Sequence, residues 1–109
     1  MEEEGREDLR IYISGGITNV PDYFERFEKA ETELINKYGS SVEVFNPARI
    51  ARTLPELTHD EYMTLCFELL NMADMIAFLP NYRESIGACM EYGYARALEL
   101  HQIFLKGEE

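Results

Sequence analysis

Apolar residues along the chain follow two rhythms. Short β-rich runs at Leu9–Ser14, Ser41–Phe45, Asp74–Leu79 and Gln102–Leu105 alternate with longer stretches whose apolar positions recur every three or four residues. Phe24, Phe27, Ala30, Leu34 and Tyr38 mark the first helix, with Asp22 placed to cap it and Gly39 to stop it. Tyr62, Leu65, Cys66, Leu69 and Leu70 mark the second, opened by Thr58 and Glu61 at capping-box spacing. Ser85 is suited to cap a third helix that runs to Leu98. Residues 48–57, with Arg49, Arg52 and Pro55, read as an irregular lid or substrate loop. Either arginine fits a surface charge or a ligand-phosphate contact.

This β-α-β-α-β-α-β order predicts a small doubly wound α/β domain, flavodoxin- or Rossmann-like. Its parallel sheet would have about four strands in the order 2-1-3-4, with helices on both faces and right-handed crossovers. Such a sheet binds ligands at the carboxyl ends of its strands, where the strand order reverses. Here that is the crevice between strands 1 and 3, which brings Gly15-Gly16 and the start of the third helix to one edge. The single domain spans 9–105, between an acidic arm at 1–8 and a tail at 106–109.

Charge narrows the partners. A net charge of −11 argues against nucleic-acid polymers, whose binding depends on Lys and Arg neutralising phosphates. It leaves room for a single mononucleotide held by backbone amides. No apolar run approaches the ~20 residues of a membrane span, and the start of the chain has no signal-peptide character, so a cytoplasmic protein is expected. Cys66 and Cys89 read as reduced core or pocket thiols. With His59 and His101 they make no metal-ligand pattern, so neither metal nor cofactor is expected.

The chemistry concentrates in Ser85-Ile86-Gly87-Ala88-Cys89-Met90-Glu91. A helix starting at Ser85 presents unpaired amides and the positive end of its dipole, which favours anions. Gly87 and Glu91, four apart, share one face, so a carboxylate sits one turn below a backbone free of side chain. A sugar with its phosphate on the helix end would place its anomeric carbon near Glu91. From spacing alone, a capped amphipathic helix with Glu91 in solvent is the favoured reading.

The pattern Ser85-x-Gly87-x-x-x-Glu91-x-Gly93-x-Ala95 resembles the signature of the nucleoside 2-deoxyribosyltransferase-like superfamily. Ser85 is closer to its 2'-deoxynucleoside 5'-phosphate N-hydrolases than to its nucleoside transferases, which usually carry Asp there. The chain also resembles a group of small bacterial and phage domains of that superfamily. The likeness runs through Ile11–Gly15, Asn46-Pro47-Ala48, Glu61-Tyr62-Met63 and Leu79-Pro80 to Glu91. It implies cleavage of an N-glycosidic bond, by hydrolysis or by (deoxy)ribosyl transfer, through a covalent glycosyl-Glu91 intermediate on a nucleoside 5'-monophosphate-like substrate. Tyr12 would orient Glu91; Gly15, Gly16 and Ile17 would line the sugar and phosphate side, and Ser85, Gly87 and Ala88 would hold the phosphate. A packed strand tyrosine and a plain strand-ending glycine turn explain Tyr12 and Gly15-Gly16 equally well. The resemblance further implies a homodimer or higher oligomer, packed through the second and third helices with the site near the subunit interface.

One position departs from the family. Where its enzymes place an Asp near the leaving base, this chain has Cys66. Glu68 and Glu84 are nearby carboxylates of unassigned direction, and Asp74 reads as structural. A nucleotide-binding or sequestering protein using the same crevice, catalytically weak or inactive, is therefore the alternative.

Overall fold

The computed structural model describes residues 9–106. Four strands, β1 (Arg10–Ser14), β2 (Glu43–Phe45), β3 (Met75–Phe78) and β4 (His101–Phe104), form one sheet in the order β2-β1-β3-β4. Every neighbouring pair is parallel, with Tyr12 opposite Phe45 of β2 and Ile76 of β3 in the two pairings of β1. The expected α/β architecture and strand order are thus observed. β3 is buried at all four positions and β1 at four of five, because a parallel strand between two helical layers has no solvent face.

Helix α1 (Tyr23–Tyr38) covers one face. Its Phe27, Ala30 and Leu34 pack with Ile11 and Ile13 of β1 and with Met75 and Ala77 of β3. Gly39 stops it at φ 98°, its amide donating to the Ile35 carbonyl at 2.8 Å. Asp22 stands at the N-cap position without capping; its carboxylate instead pairs with Arg26 one turn on, at 3.0 Å. Helices α3 (His59–Asn71) and α4 (Ile86–Ala97) pack on the other face through Cys66, Leu70 and Ala95 against Tyr12, Ile76 and Phe78. Thr58 and Glu61 complete the capping box of α3, the side chain of each accepting the backbone amide of the other.

The segment read as an irregular loop is partly a helix, α2 (Pro47–Thr53). Asn46 caps it by accepting the Ala48 amide at 3.1 Å, and Pro47 occupies the first turn, where a missing N–H costs nothing. Arg49 clamps it to α1 through Glu28 and Glu31, each at 3.0 Å, and Arg52 lies 4.1 Å over the Phe24 ring. Both arginines therefore bind the protein itself. Asp74 is structural as read: it accepts the Arg10 amide at 2.9 Å, joining the starts of β1 and β3. No helix of the described residues is long and apolar enough to cross a membrane. The acidic arm at 1–8 and residues 107–109 of the tail lie outside the described residues.

Candidate active site

The carboxyl ends of β1 and β3 open beneath the N-termini of α3 and α4, and a cavity of about 750 Å³ lies between them. α4 forms one wall through Ser85, Ile86, Gly87, Ala88 and Glu91. Thr58, His59, Tyr62 and Met63 of the α3 side form the facing wall, and Ala51, Leu54, Pro55 and Leu57 close it from the α2 side. The segment after β1 contributes Gly15, Ile17, Thr18 and Asn19. The volume is in the range of small-molecule sites.

Glu91 forms the floor. Only 5% of it is exposed, so it is not the solvated helix residue that its spacing allowed. The Tyr12 hydroxyl donates to Oε2 and the Ser14 hydroxyl to Oε1, both at 2.6 Å. Because side chains alternate along a strand, Tyr12 and Ser14 point to the same face, the one under α4. Burial pushes the Glu91 carboxyl up from the usual 4.5 to about 7, against the opposing pull of the hydrogen bonds from Ser14 and Tyr12 and a contribution from Cys66. Burial likewise raises Tyr12 well above its usual value, with the Glu91 charge adding to it, so Tyr12 remains a donor. Cys66 is buried beside them, and its thiol is pushed up to about 12 by burial and then by Glu91.

The anticipated residues divide into three groups. Glu91 and Tyr12 are joined directly. Gly15, Ile17, Ser85, Gly87 and Ala88 line the cavity around them. Gly16 does not; its amide donates to Asn81 Oδ1 at 3.1 Å, tying the β1 turn to the loop after β3. Gly15 is required by packing, since a Cβ there would lie 2.5 Å from Leu79 Cδ1 and 2.8 Å from Leu79 Cβ. Ser85 caps α4 by accepting the Ala88 amide at 3.1 Å, so that amide already has a partner. Glu84 lines the cavity, whereas Glu68 lies exposed outside it. Cys89 is exposed and lies in neither the core nor the cavity, because one helical position past Ala88 turns it outward. Ser14 was missed by the sequence reading, although its place two residues after Tyr12 was the available signal. Among the described residues no cluster of His, Cys, Asp and Glu is arranged to hold a metal ion.

The family model described as "Domain of unknown function (DUF4406)" matches residues 9–104. The chain belongs to this DUF4406 family. A search of curated proteins finds no match to it. Among solved structures, the DUF4406 domain is similar to a 2-desoxiribosyltransferase from Leishmania mexicana, with a TM-score of 0.67 and 19% identity. That superposition covers 92% of this chain and 65% of the Leishmania chain. The domain is also similar to a 2-deoxyribosyltransferase from Bacillus psychrosaccharolyticus, with a TM-score of 0.60, 23% identity, and coverage of 93% and 76% respectively. The DUF4406 domain thus has a nucleoside 2-deoxyribosyltransferase-like fold, and spans about two thirds of the length of the first of these proteins.

Proposed function

We propose that this domain cleaves the N-glycosidic bond of a nucleoside or nucleoside 5'-monophosphate, releasing the base or transferring the (deoxy)ribosyl group, with Glu91 as nucleophile. The observation that carries the reading is a buried carboxylate on a cavity floor, fixed by two hydroxyl donors at 2.6 Å. A carboxylate held in this way has a defined direction of attack on an anomeric carbon. Once ionised it also faces the positive charge that develops on the sugar in the transition state. Tyr12 and Ser14 act as positioning residues: their hydrogen bonds favour the ionised form that the attack requires. The two deoxyribosyltransferases of similar fold support the same chemistry.

The 5' end of the sugar would lie at the start of α4. The amides of Ile86 and Gly87 precede the first intrahelical bond there, which runs from the Cys89 amide to the Ser85 carbonyl at 2.9 Å. Among the described residues, the cavity lining carries no Lys or Arg and includes the carboxylates Glu84 and Glu91. A 5'-phosphate would therefore depend on backbone amides and the helix dipole. A second copy of the chain would pack against the outer faces of α3 and α4. Ile86 is 78% and Met90 46% exposed there, and Ile86 also borders the cavity.

A binding protein that does not turn its ligand over is the second reading, favoured by Cys66. A buried thiol with its pKa raised to about 12 stands where the resemblance to nucleoside 2-deoxyribosyltransferase-like enzymes implies a carboxylic acid. Base release distinguishes the two. The protein and Glu91→Gln are incubated with nucleosides, deoxynucleosides and their 5'-monophosphates, and free base is followed by chromatography. Release that falls on the order of 10³-fold or more in the variant supports the enzyme. Ligand-dependent shifts in melting with no release from any compound would establish the binding protein instead.

A further inference from the structure

We propose that His59 is the acid–base residue of this cavity: it protonates the departing base and afterwards accepts a proton from the incoming water or second base. The inference rests on the N-glycosidic reading and names the group that reading lacks.

Geometry argues for it. α3 and α4 each carry the chain back from the carboxyl edge of the sheet, so both helices begin at that edge, on facing walls of the cavity. His59 and Met63 are four apart and share a face of α3, as Gly87 and Glu91 share a face of α4. The end of the Met63 side chain reaches across the cavity toward Gly87, where an added Cβ would lie 3.2 Å from Met63 Sδ, and this flexible thioether is what a sugar over Gly87 would displace. His59 is therefore one turn above this contact at the mouth, and Glu91 one turn below it at the floor. They occupy diagonal corners of the cavity, about two helical turns, or ~11 Å, apart along the helix direction. A nucleophile displaces a leaving group from the side opposite its attack. A base expelled by Glu91 thus moves away from the α4 wall, toward α3 and the mouth.

The other proton-bearing groups of the cavity are less suited. Cys66 lies buried behind the wall with its thiol raised to about 12. The Tyr62 hydroxyl donates to the Pro47 carbonyl at 3.5 Å, and burial holds its proton more tightly than usual. Glu84 immediately precedes Ser85, on Glu91's own wall, where the 5' end of the sugar would lie. His59 is exposed on the facing wall, and an imidazole ring can both give and take a proton. Of its helical neighbours, Glu61 is held by the Thr58 amide at 2.9 Å, and Asp60 precedes it in the same first turn.

The step balances. A Glu91 carboxylate oxygen bonds to the anomeric carbon as the C–N bond breaks, and the bonding pair leaves with the base. The His59 imidazolium proton passes to a base nitrogen or oxygen, leaving neutral imidazole. That imidazole then takes a proton from water as the water oxygen attacks the anomeric carbon. The ester bond breaks, its electron pair returns to Glu91, and His59 is again protonated.

The test compares two leaving groups on the same sugar: a natural base, and 4-nitrophenol, which departs as a stable anion without needing a proton. His59→Gln is expected to slow release of the natural base by about 10²- to 10⁴-fold and to affect nitrophenol release far less. Glu91→Gln should abolish both. Position 59 is exposed and the capping pair is untouched, so melting of the variant checks that the fold is retained. Equal losses on the two substrates, or no loss on the natural one, would overturn the role of His59 and leave Glu91 standing. A parent that cleaves the nitrophenyl sugar but no nucleoside would overturn that role as well. If the parent cleaves neither, the N-glycosidic reading fails and this role with it.

Discussion

A carboxyl group beneath a packed helix exists either as a charge taken out of water or as a neutral acid, and the balance depends on its donors. At Glu91, two hydroxyls at 2.6 Å favour the charge, yet burial prevails and the group titrates near 7. The folded state therefore binds this proton more tightly than the unfolded chain does. Its contribution to stability is fully present below about 4.5 and is lost as pH rises to about 7, a difference of about 3 kcal/mol. Glu91→Gln is expected to remove that dependence. It should melt close to the parent at pH 4.5 and higher, by on the order of 10 °C, at pH 8; equal melting at both pH values would contradict the burial cost. The sequence revealed Glu91 and Tyr12 through spacing and resemblance, but not how deeply Glu91 is buried. That depth depends on how α4 is rotated, with Ala88 and Ala95 turned inward against the sheet. Ser14 escaped notice because a serine before two glycines reads as the end of a strand.

At the scale of elements, the four strands and three longer helices were legible because their apolar periods are regular and their stops are chemically marked, as at Thr58 and Gly39. α2 was not. Only Pro47 and Ala48 are buried in it; Arg49 and Arg52 interrupt an apolar stripe, and the rest of the helix is held by Asn46 and by ion pairs to α1. The glycines separate packing from function. Gly15 is closed off by Leu79, whose own Cβ cannot swing away, whereas Gly87 faces the flexible end of Met63. Gly87→Ala gains helix propensity, up to about 1 kcal/mol, and Met63 yields to the new methyl. We expect its melting temperature to hold or rise while kcat/KM for base release falls on the order of 10²-fold as the sugar is displaced. A parallel fall in both would make Gly87 a purely structural residue.

At the scale of the whole molecule, α4 presents an apolar stripe that is unpartnered among the described residues: Ile86, Met90, Gly93 and Ala97 are exposed at helical spacing, and none of the described residues packs within 4 Å of a Cβ added at Gly93. Leu65 and Met72 extend the apolar surface along α3. A dimer through this face would place each copy beside the other's cavity mouth, since Ile86 belongs to both. Light scattering at micromolar protein is expected to give a dimeric mass, and Met90→Glu a monomer with weakened base release; a monomeric parent would remove this interface. The contacts of Glu91 also join distant parts of the chain. Glu91 lies 79 positions from Tyr12 and 77 from Ser14, so the first strand and the last helix must both be in place before the carboxylate has its donors. A molecule that occupies the cavity will consequently select chains in which these two ends have met. By mass action it will act as a clasp on the entire domain, drawing newly made or partly opened chains toward closure even if it is never turned over.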